Sequence, residues 1–134
     1  MQFINYLGFG GNCEEAFNFY AKVFKKEISA MFPNEGTPAE AHVPPEWKKK
    51  IMHARLDVAE GATLMGGDAP MGQFTKHSGF CINIAIKDAD EATRIFSELA
   101  EGGKTQMPLA QTFWAKLFGM CIDKYGVPWM VNVE

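Results

Sequence analysis

One segment of this chain is written twice, 76 residues apart, and that limits the fold more than any other feature. The stretch GNCEEAFNFYAKVF, from Gly11, lies over KDADEATRIFSELA, from Lys87. Ala16 then matches Ala92, Phe19 matches Ile95, Tyr20 matches Phe96 and Val23 matches Leu99. A fixed offset of this kind marks a repeated supersecondary unit. In each copy an N-cap type residue, Asn12 or Asp88, is followed three positions later by a glutamate, Glu15 or Glu91, in the pattern of a capping box. Apolar residues recur at helical spacing, as Cys13, Ala16, Tyr20 and Val23 and again as Ala89, Ala92, Phe96 and Leu99. The spacing predicts two amphipathic helices of about three turns.

A strand-like run precedes each helix, FINYLGF in the first copy and FCINIAI in the second. Further strand-like runs follow. MHARLDVAEGATLMGG alternates, turns at Glu60-Gly61 and returns; LFGMCIDKYGVPWMVNV does the same around Tyr125-Gly126. Here the offset is 65, so the first copy carries about 11 extra residues, which sit in NEGTPAEAHVPPEWKKK. The expected fold class is α+β, two copies of strand, helix and three strands. The glycines of GFGGN, between the first strand and helix, do not form a dinucleotide or phosphate loop. Cys13 stands where a third glycine would be needed, no Gly-Lys-Ser/Thr follows, and the second copy makes the same turn without glycine.

The chain has 134 residues, enough for one domain that buries roughly two-thirds of its unfolded surface. Its formal charge is -3, and the only basic run, Lys48 to Lys50, reads as a solvated loop, so nucleic acid is not an expected partner. No apolar run reaches the ~20 residues of a membrane span, and MQFINYLGF lacks the charged start and small-residue cleavage site of a secretory leader. Cys13, Cys81 and Cys121 are odd in number and form no C-x-x-C pair, which fits a reducing, cytoplasmic setting.

The order of elements, with EEAFNFYAKVF opening the first helix, resembles the vicinal oxygen chelate superfamily of glyoxalase I, bleomycin-resistance proteins and extradiol dioxygenases. MHARL, GATLMGGDAP, QTFWAKLFGM and YGVPWMVN are similar to its small glyoxalase-like branch, labelled phosphonate-operon-associated or demethylubiquinone methyltransferase-like. The resemblance covers nearly the whole chain. It implies one glyoxalase-like domain over 1–134, with βαβββ modules at 1–70 and 78–134 forming curved mixed sheets around a cleft. Metal enzymes of the superfamily take one ligand from the first and one from the last strand of each module. Those positions carry over to Asn5, Met65, Cys81 and Met130. None is His, Asp or Glu, the donors that Zn, Fe, Mn and Ni sites of this kind use, so neither a metal nor another cofactor is expected.

Strand alternation sorts the remaining polar groups. In MHARLDV the set Met52, Ala54, Leu56, Val58 should face the helix, which sends His53, Arg55 and Asp57 to the other, cleft side. The same reasoning places Asn5, Met65, Cys81, Asn83, Phe118, Met120, Met130 and Asn132 there, with Trp114 near the entrance. Such a cleft is apolar and sulfur-rich with a few amides, the usual make-up of a small-molecule site. The catalytic candidates are His53 as a general base or anion ligand and Arg55 as a carboxylate clamp, unless Arg55 simply pairs with Asp57. His42 and His77 fall in loops, and the long segments around them are either lids, surface excursions or contacts to a second subunit. A homodimer is the expected assembly, as is common in the superfamily. Two functions stay open. One is a metal-free module that binds an apolar or aromatic small molecule, as the bleomycin-resistance members bind their drug. The other is an isomerase, lyase or transferase type enzyme using His53 and Arg55, with a metal at ligands outside the usual quartet as a further option.

Overall fold

A computed structural model describes all 134 residues. The chain divides into two compact units, Met1–Thr75 and Lys76–Glu134. The first runs β1 (Asn5–Phe9), α1 (Cys13–Phe24), β2 (Ala30–Pro33), two short 3-10 turns (Pro38–His42 and Pro45–Trp47), β3 (Ile51–Ala59) and β4 (Ala62–Asp68). The second runs β5 (Ile82–Ile86), α2 (Ala89–Ala100), β6 (Lys104–Ala110), β7 (Leu117–Ile122) and β8 (Pro128–Val133). Each holds one four-stranded mixed sheet, ordered β1-β4-β3-β2 and β5-β8-β7-β6. The first strand of each pairs in parallel with the last, and the other pairings are antiparallel. This is the α+β pattern of two βαβββ modules that the repeat predicts, and the two 12-residue helices begin 76 residues apart.

The helices cover one face of each sheet. Cys13, Ala16, Phe17, Tyr20 and Val23 of α1 are buried with Leu7, Phe9, Ala54, Leu56 and Leu64 of the strands. In the second unit Ala92, Ile95, Phe96 and Leu99 of α2 are buried with Cys121, Trp129, Val131 and Val133. At about 1.5–3 kcal/mol for each large apolar side chain removed from water, this contact is the main source of stability in each unit. The helix aromatics lie so close to the sheets that glycine is required beneath them. A Cβ on Gly66 would sit 2.8 Å from the Phe17 ring and 2.6 Å from the Leu7 carbonyl oxygen, and one on Gly119 would sit 2.9 Å from the Phe96 ring.

The helix starts differ from the expected capping boxes. Asp88 does cap α2, its Oδ1 accepting from the amides of Asp90 and Glu91. The Glu91 carboxylate is engaged by Arg94. Asn12 makes no side-chain cap bond. Its place is taken from a distance by Asp68 at the end of β4, whose Oδ1 accepts from the amides of Gly11 at 2.8 Å and Cys13 at 3.0 Å. The other oxygen, Oδ2, accepts from the amide of Ile51 at 2.8 Å. One carboxylate thus joins the β1–α1 turn, the start of β3 and the end of β4, and supplies the negative charge favoured at a helix N-terminus.

The extra residues of the first copy are tied down. The Asn34 amide donates to the Trp47 carbonyl, the Trp47 indole donates to the Ala69 carbonyl, and Lys50 Nζ reaches the Gly11 carbonyl at 2.8 Å. In the second unit Asp123 is buried at the β7–β8 turn. Its Oδ1 accepts from the amides of Tyr125 and Val127, and Oδ2 from the Trp129 indole at 2.8 Å. No helix is long and apolar enough to cross a membrane.

Replacing Asp68 by alanine strands three backbone donors at once. Asp68→Ala is expected to lower stability by about 3 kcal/mol or more, read as a fall in the urea midpoint. A loss under about 1 kcal/mol would show that water replaces the carboxylate at these amides.

Candidate functional site

With α1 and α2 on one face of each sheet, the other face is left open, and strand alternation decides what it displays. In β3 Ala54 pairs with Gly66, whose missing side chain would meet Phe17, while Arg55 pairs with Met65. His53, Arg55 and Asp57 therefore share the open face with Met65. In β1 the alternation falls one residue away from the expectation. Leu7 and Phe9 are buried toward the helix, and Asn5 shares their side of the strand; Tyr6, which pairs with Met65, is the residue on the open face.

Tyr6 crosses the sheet. Its ring stacks on the His53 imidazole at 5.8 Å between centroids, with 26° between the planes, and its hydroxyl lies 3.4 Å from Nδ1. Between β1 and β3 lies β4, and at the crossing β4 carries Gly67. A Cβ there would be 3.2 Å from the Tyr6 hydroxyl and 2.7 Å from the Met52 carbonyl oxygen. Phe32 of β2 pairs with His53 on the far side and is half exposed. Burial raises the Tyr6 pKa above its ordinary value, and the Cys13 thiol adds to this, so the phenol stays protonated well past neutrality.

Arg55 is not a free clamp. Its Nε donates to both oxygens of Asp57, at 3.0 and 3.1 Å, and Nη2 lies 2.9 Å from Oδ1. Thr63 donates to the same carboxylate, and the Asp57 amide donates to Ser29. The Arg55 bond first, then Thr63, hold the Asp57 carboxyl below the usual range. A lowered folded pKa gives stability that is present above the ordinary carboxylate range and fades as pH falls through the folded value. On this exposed pair the effect is small and screened by salt.

The open face of the second sheet is apolar. Asn83 pairs with Met130, Phe118 with Asn132 and Met120 with Met130, while Trp129, Val131 and Val133 turn to the helix side. Cys81 immediately precedes β5 and is half-buried. Trp114 stands at the tip of a turn closed by Thr112 and Ala115, which exchange backbone and side-chain bonds, and Lys116 ties the turn to β8 through the Val133 carbonyl. Its ring meets Phe118 at 5.4 Å and Phe113 at 4.7 Å, both edge-on. Gln111, Phe113, Trp114, Lys116, Asn132 and Glu134 border an open depression of about 520 Å³. The side-chain oxygen of Asn132, closed off from solvent, accepts no hydrogen bond.

Met65, Cys81 and Met130 supply two thioethers and a thiol, Asn5 lies on the helix side, and no three His, Cys, Asp or Glu side chains come together to hold an ion. The donor set does not fit a divalent metal in the superfamily's manner. At the start of α1 the Gly11 and Cys13 amides already hold a carboxylate, that of Asp68. His42 is exposed on a 3-10 turn, and His77 packs edge-on against Phe80. Tyr6, Phe32 and Gly67 are the open-face residues that strand reasoning missed. A one-residue shift in the reading of β1 would have revealed Tyr6.

Burial raises the Cys13 thiol to about 12, with Asp68 and Glu14 adding to the shift, and the Cys121 thiol to about 11, with Asp123 and Cys81 adding. At pH 7–8 one thiol, Cys81, is expected to react quickly with a disulfide reagent, and the other two only after unfolding. Rapid labelling of two or three thiols in the folded protein, or persistence of the fast phase in Cys81→Ser, would contradict this assignment.

The profile of the 3-demethylubiquinone-9 3-methyltransferase family matches residues 1–132. Protein PA1353 from Pseudomonas aeruginosa is 44% identical over 100% of this chain and 98% of its own, with a TM-score of 0.89. Protein YjdN of Escherichia coli K12 is 34% identical over 96% of this chain and 92% of its own length. A glyoxalase-related enzyme from Fulvimarina pelagi, 15% identical over 100% of this chain and 89% of its own, has a TM-score of 0.62 and shows the likeness of fold alone. This chain belongs to the 3-demethylubiquinone-9 3-methyltransferase family, built on a glyoxalase-like fold.

Proposed function

We propose that this protein binds an apolar, aromatic small molecule without a metal, on the open face of the second sheet between Trp114, Phe118 and Asn132. The observation that carries the reading is the Asn132 oxygen, shielded from water and without a donor at an aromatic-lined depression. A buried acceptor without a partner costs about 1–3 kcal/mol. A ligand that brings an N–H or O–H on an aromatic ring, stacks against the indole and draws the Asn132 amide out to meet it recovers that cost. Thioethers of Met120 and Met130 add a pliable, polarizable surface next to it. The methyl transfer named in the family's description is not part of this proposal.

A second reading, an enzyme of isomerase, lyase or transferase type, draws on the Tyr6–His53 pair, which places a titratable imidazole against a phenol on the first sheet. Arg55 contributes less to it than sequence alone suggests, since Asp57 holds the guanidinium. Exposed aromatics including Phe3 and Phe113, each 97% exposed, favour a homodimer over a monomer, and the thiol chemistry favours the cytoplasm.

The test combines two measurements on untagged protein: metal content by mass spectrometry, and thermal shifts with Zn, Ni, Mn and Fe(II) set beside p-cresol and indole. The expected result is a rise in Tm with the aromatic probes and none with the metals. Trp114→Ala and Asn132→Ala should each weaken p-cresol binding about tenfold or more. A stoichiometric metal, or stabilisation by one of the four ions alone, overturns the metal-free reading.

A further inference from the structure

We infer that Tyr6 sets the state of His53: its hydroxyl donates to Nδ1, so the neutral imidazole carries its proton on Nε2 and offers the first sheet's open face a donor instead of a base. The inference stands apart from the proposed site on the second sheet. It begins with a gap in the sheet. Tyr6 lies on β1 and His53 on β3, two strands away, and only the absent side chain at Gly67 lets the phenol cross β4 and stack on the imidazole.

The hydroxyl has two acceptors within reach, His53 Nδ1 at 3.4 Å and the Met52 carbonyl oxygen at 3.5 Å. Which one it chooses fixes the tautomer, because a neutral imidazole has one N–H and one lone pair. A phenol is a stronger donor than an imidazole N–H, and the imidazole lone pair a stronger acceptor than a phenol oxygen. The bond therefore runs from the hydroxyl to Nδ1, and the remaining nitrogen, Nε2, holds the hydrogen. The Met52 carbonyl takes over when the imidazole is charged. Nδ1–H then donates to the phenol oxygen, whose own hydrogen turns to the carbonyl, and every polar group stays paired. Arg55 does not compete for this pair, being engaged by Asp57.

The consequence is chemical. With Nε2–H facing the ligand, neutral His53 recognises an acceptor oxygen, such as the carbonyl of an apolar molecule lying across Phe32 and Met65. A mechanism that uses this nitrogen as a proton acceptor has to reverse the Tyr6 bond first, with Nδ1–H donating to the phenol oxygen and the hydroxyl turned to the Met52 carbonyl. Tyr6 is thus a positioning residue, and its phenol, kept protonated by partial burial, holds that role across the neutral range.

Long-range 1H–15N correlation spectra of the 15N-labelled protein, at a pH where the imidazole is neutral, read the tautomer directly. The wild type should show His53 wholly with its proton on Nε2. Tyr6→Phe keeps the stacked ring and removes only the hydroxyl; it should move the Nδ1 resonance and give a tautomer mixture, with His42 and His77 unchanged. Gly67→Ala should do the same by displacing the phenol. A proton on Nδ1 in the wild type, or a Tyr6→Phe spectrum with both His53 nitrogens unmoved, overturns the inference, and the wild-type spectrum decides alone if a variant misfolds. Acetophenone should shift the Nε2 resonance where ethylbenzene, without the oxygen, does not; an equal response, or none, overturns the acceptor assignment.

Discussion

A single carboxylate organises the first unit. Asp68 ends β4, yet its oxygens bind the amides of Gly11, Cys13 and Ile51, which belong to two other parts of the unit. Without it the α1 N-terminus would point its unpaired N–H groups at a turn that has no side-chain cap of its own. The loop that returns to β3 would also lose its anchor. Lys50 and Trp47 complete the arrangement from the loop side, with Lys50 on the Gly11 carbonyl and Trp47 on the Ala69 carbonyl. The second unit uses the same device more locally. Asp123 gathers two amides and an indole within one turn, because no extra loop has to be secured there.

The faces opposite the helices inherit their character from this core. Once α1 claims Leu7, Phe9, Ala54 and Leu56, alternation leaves Tyr6, His53 and Arg55 with no place but the open side. The second sheet divides in the same way, and its open side receives sulfur, amides and aromatic rings in place of ionisable groups. The two units are repeats in topology and unlike in chemistry. One offers an imidazole, a phenol and an ion pair; the other offers an open depression of mixed polarity with one unpaired amide oxygen.

Sequence disclosed the helices, the hairpins and the doubled architecture, since period and offset are local or repeated signals. It disclosed most of the open face as well, because a strand's alternation carries from one residue to the next. The failures have identifiable causes. Asn12 sits where a cap residue should, but the group that binds those amides lies 56 positions later, and no local pattern points to it. In β1 the run FINYLGF is apolar on both sides, so nothing in it tells which parity meets the helix, or whether Asn5 or Tyr6 takes the open side. The role of Gly67 depends on the hydrogen-bonded partner strands and is invisible in GATLMGG. Strand β6, KTQMPLA, has a proline and two register shifts, which obscure the alternation that made β3 readable.

The three tryptophans occupy three separate kinds of position, and this makes the molecule report on itself optically. Trp129 is 1% exposed, with its indole hydrogen-bonded to Asp123, and belongs to the core of the second unit. Trp47 is partly buried and fastens the loop of the first unit to the end of β4. Trp114, 53% exposed, stands on the open side of the second sheet. Variants that keep one indole at a time would therefore give distinct emission signals for the second core, the first unit's anchored loop and the open face. Whether the two units lose their structure together or in turn becomes a matter of comparing the unfolding curves of the variants that keep Trp47 and Trp129 alone.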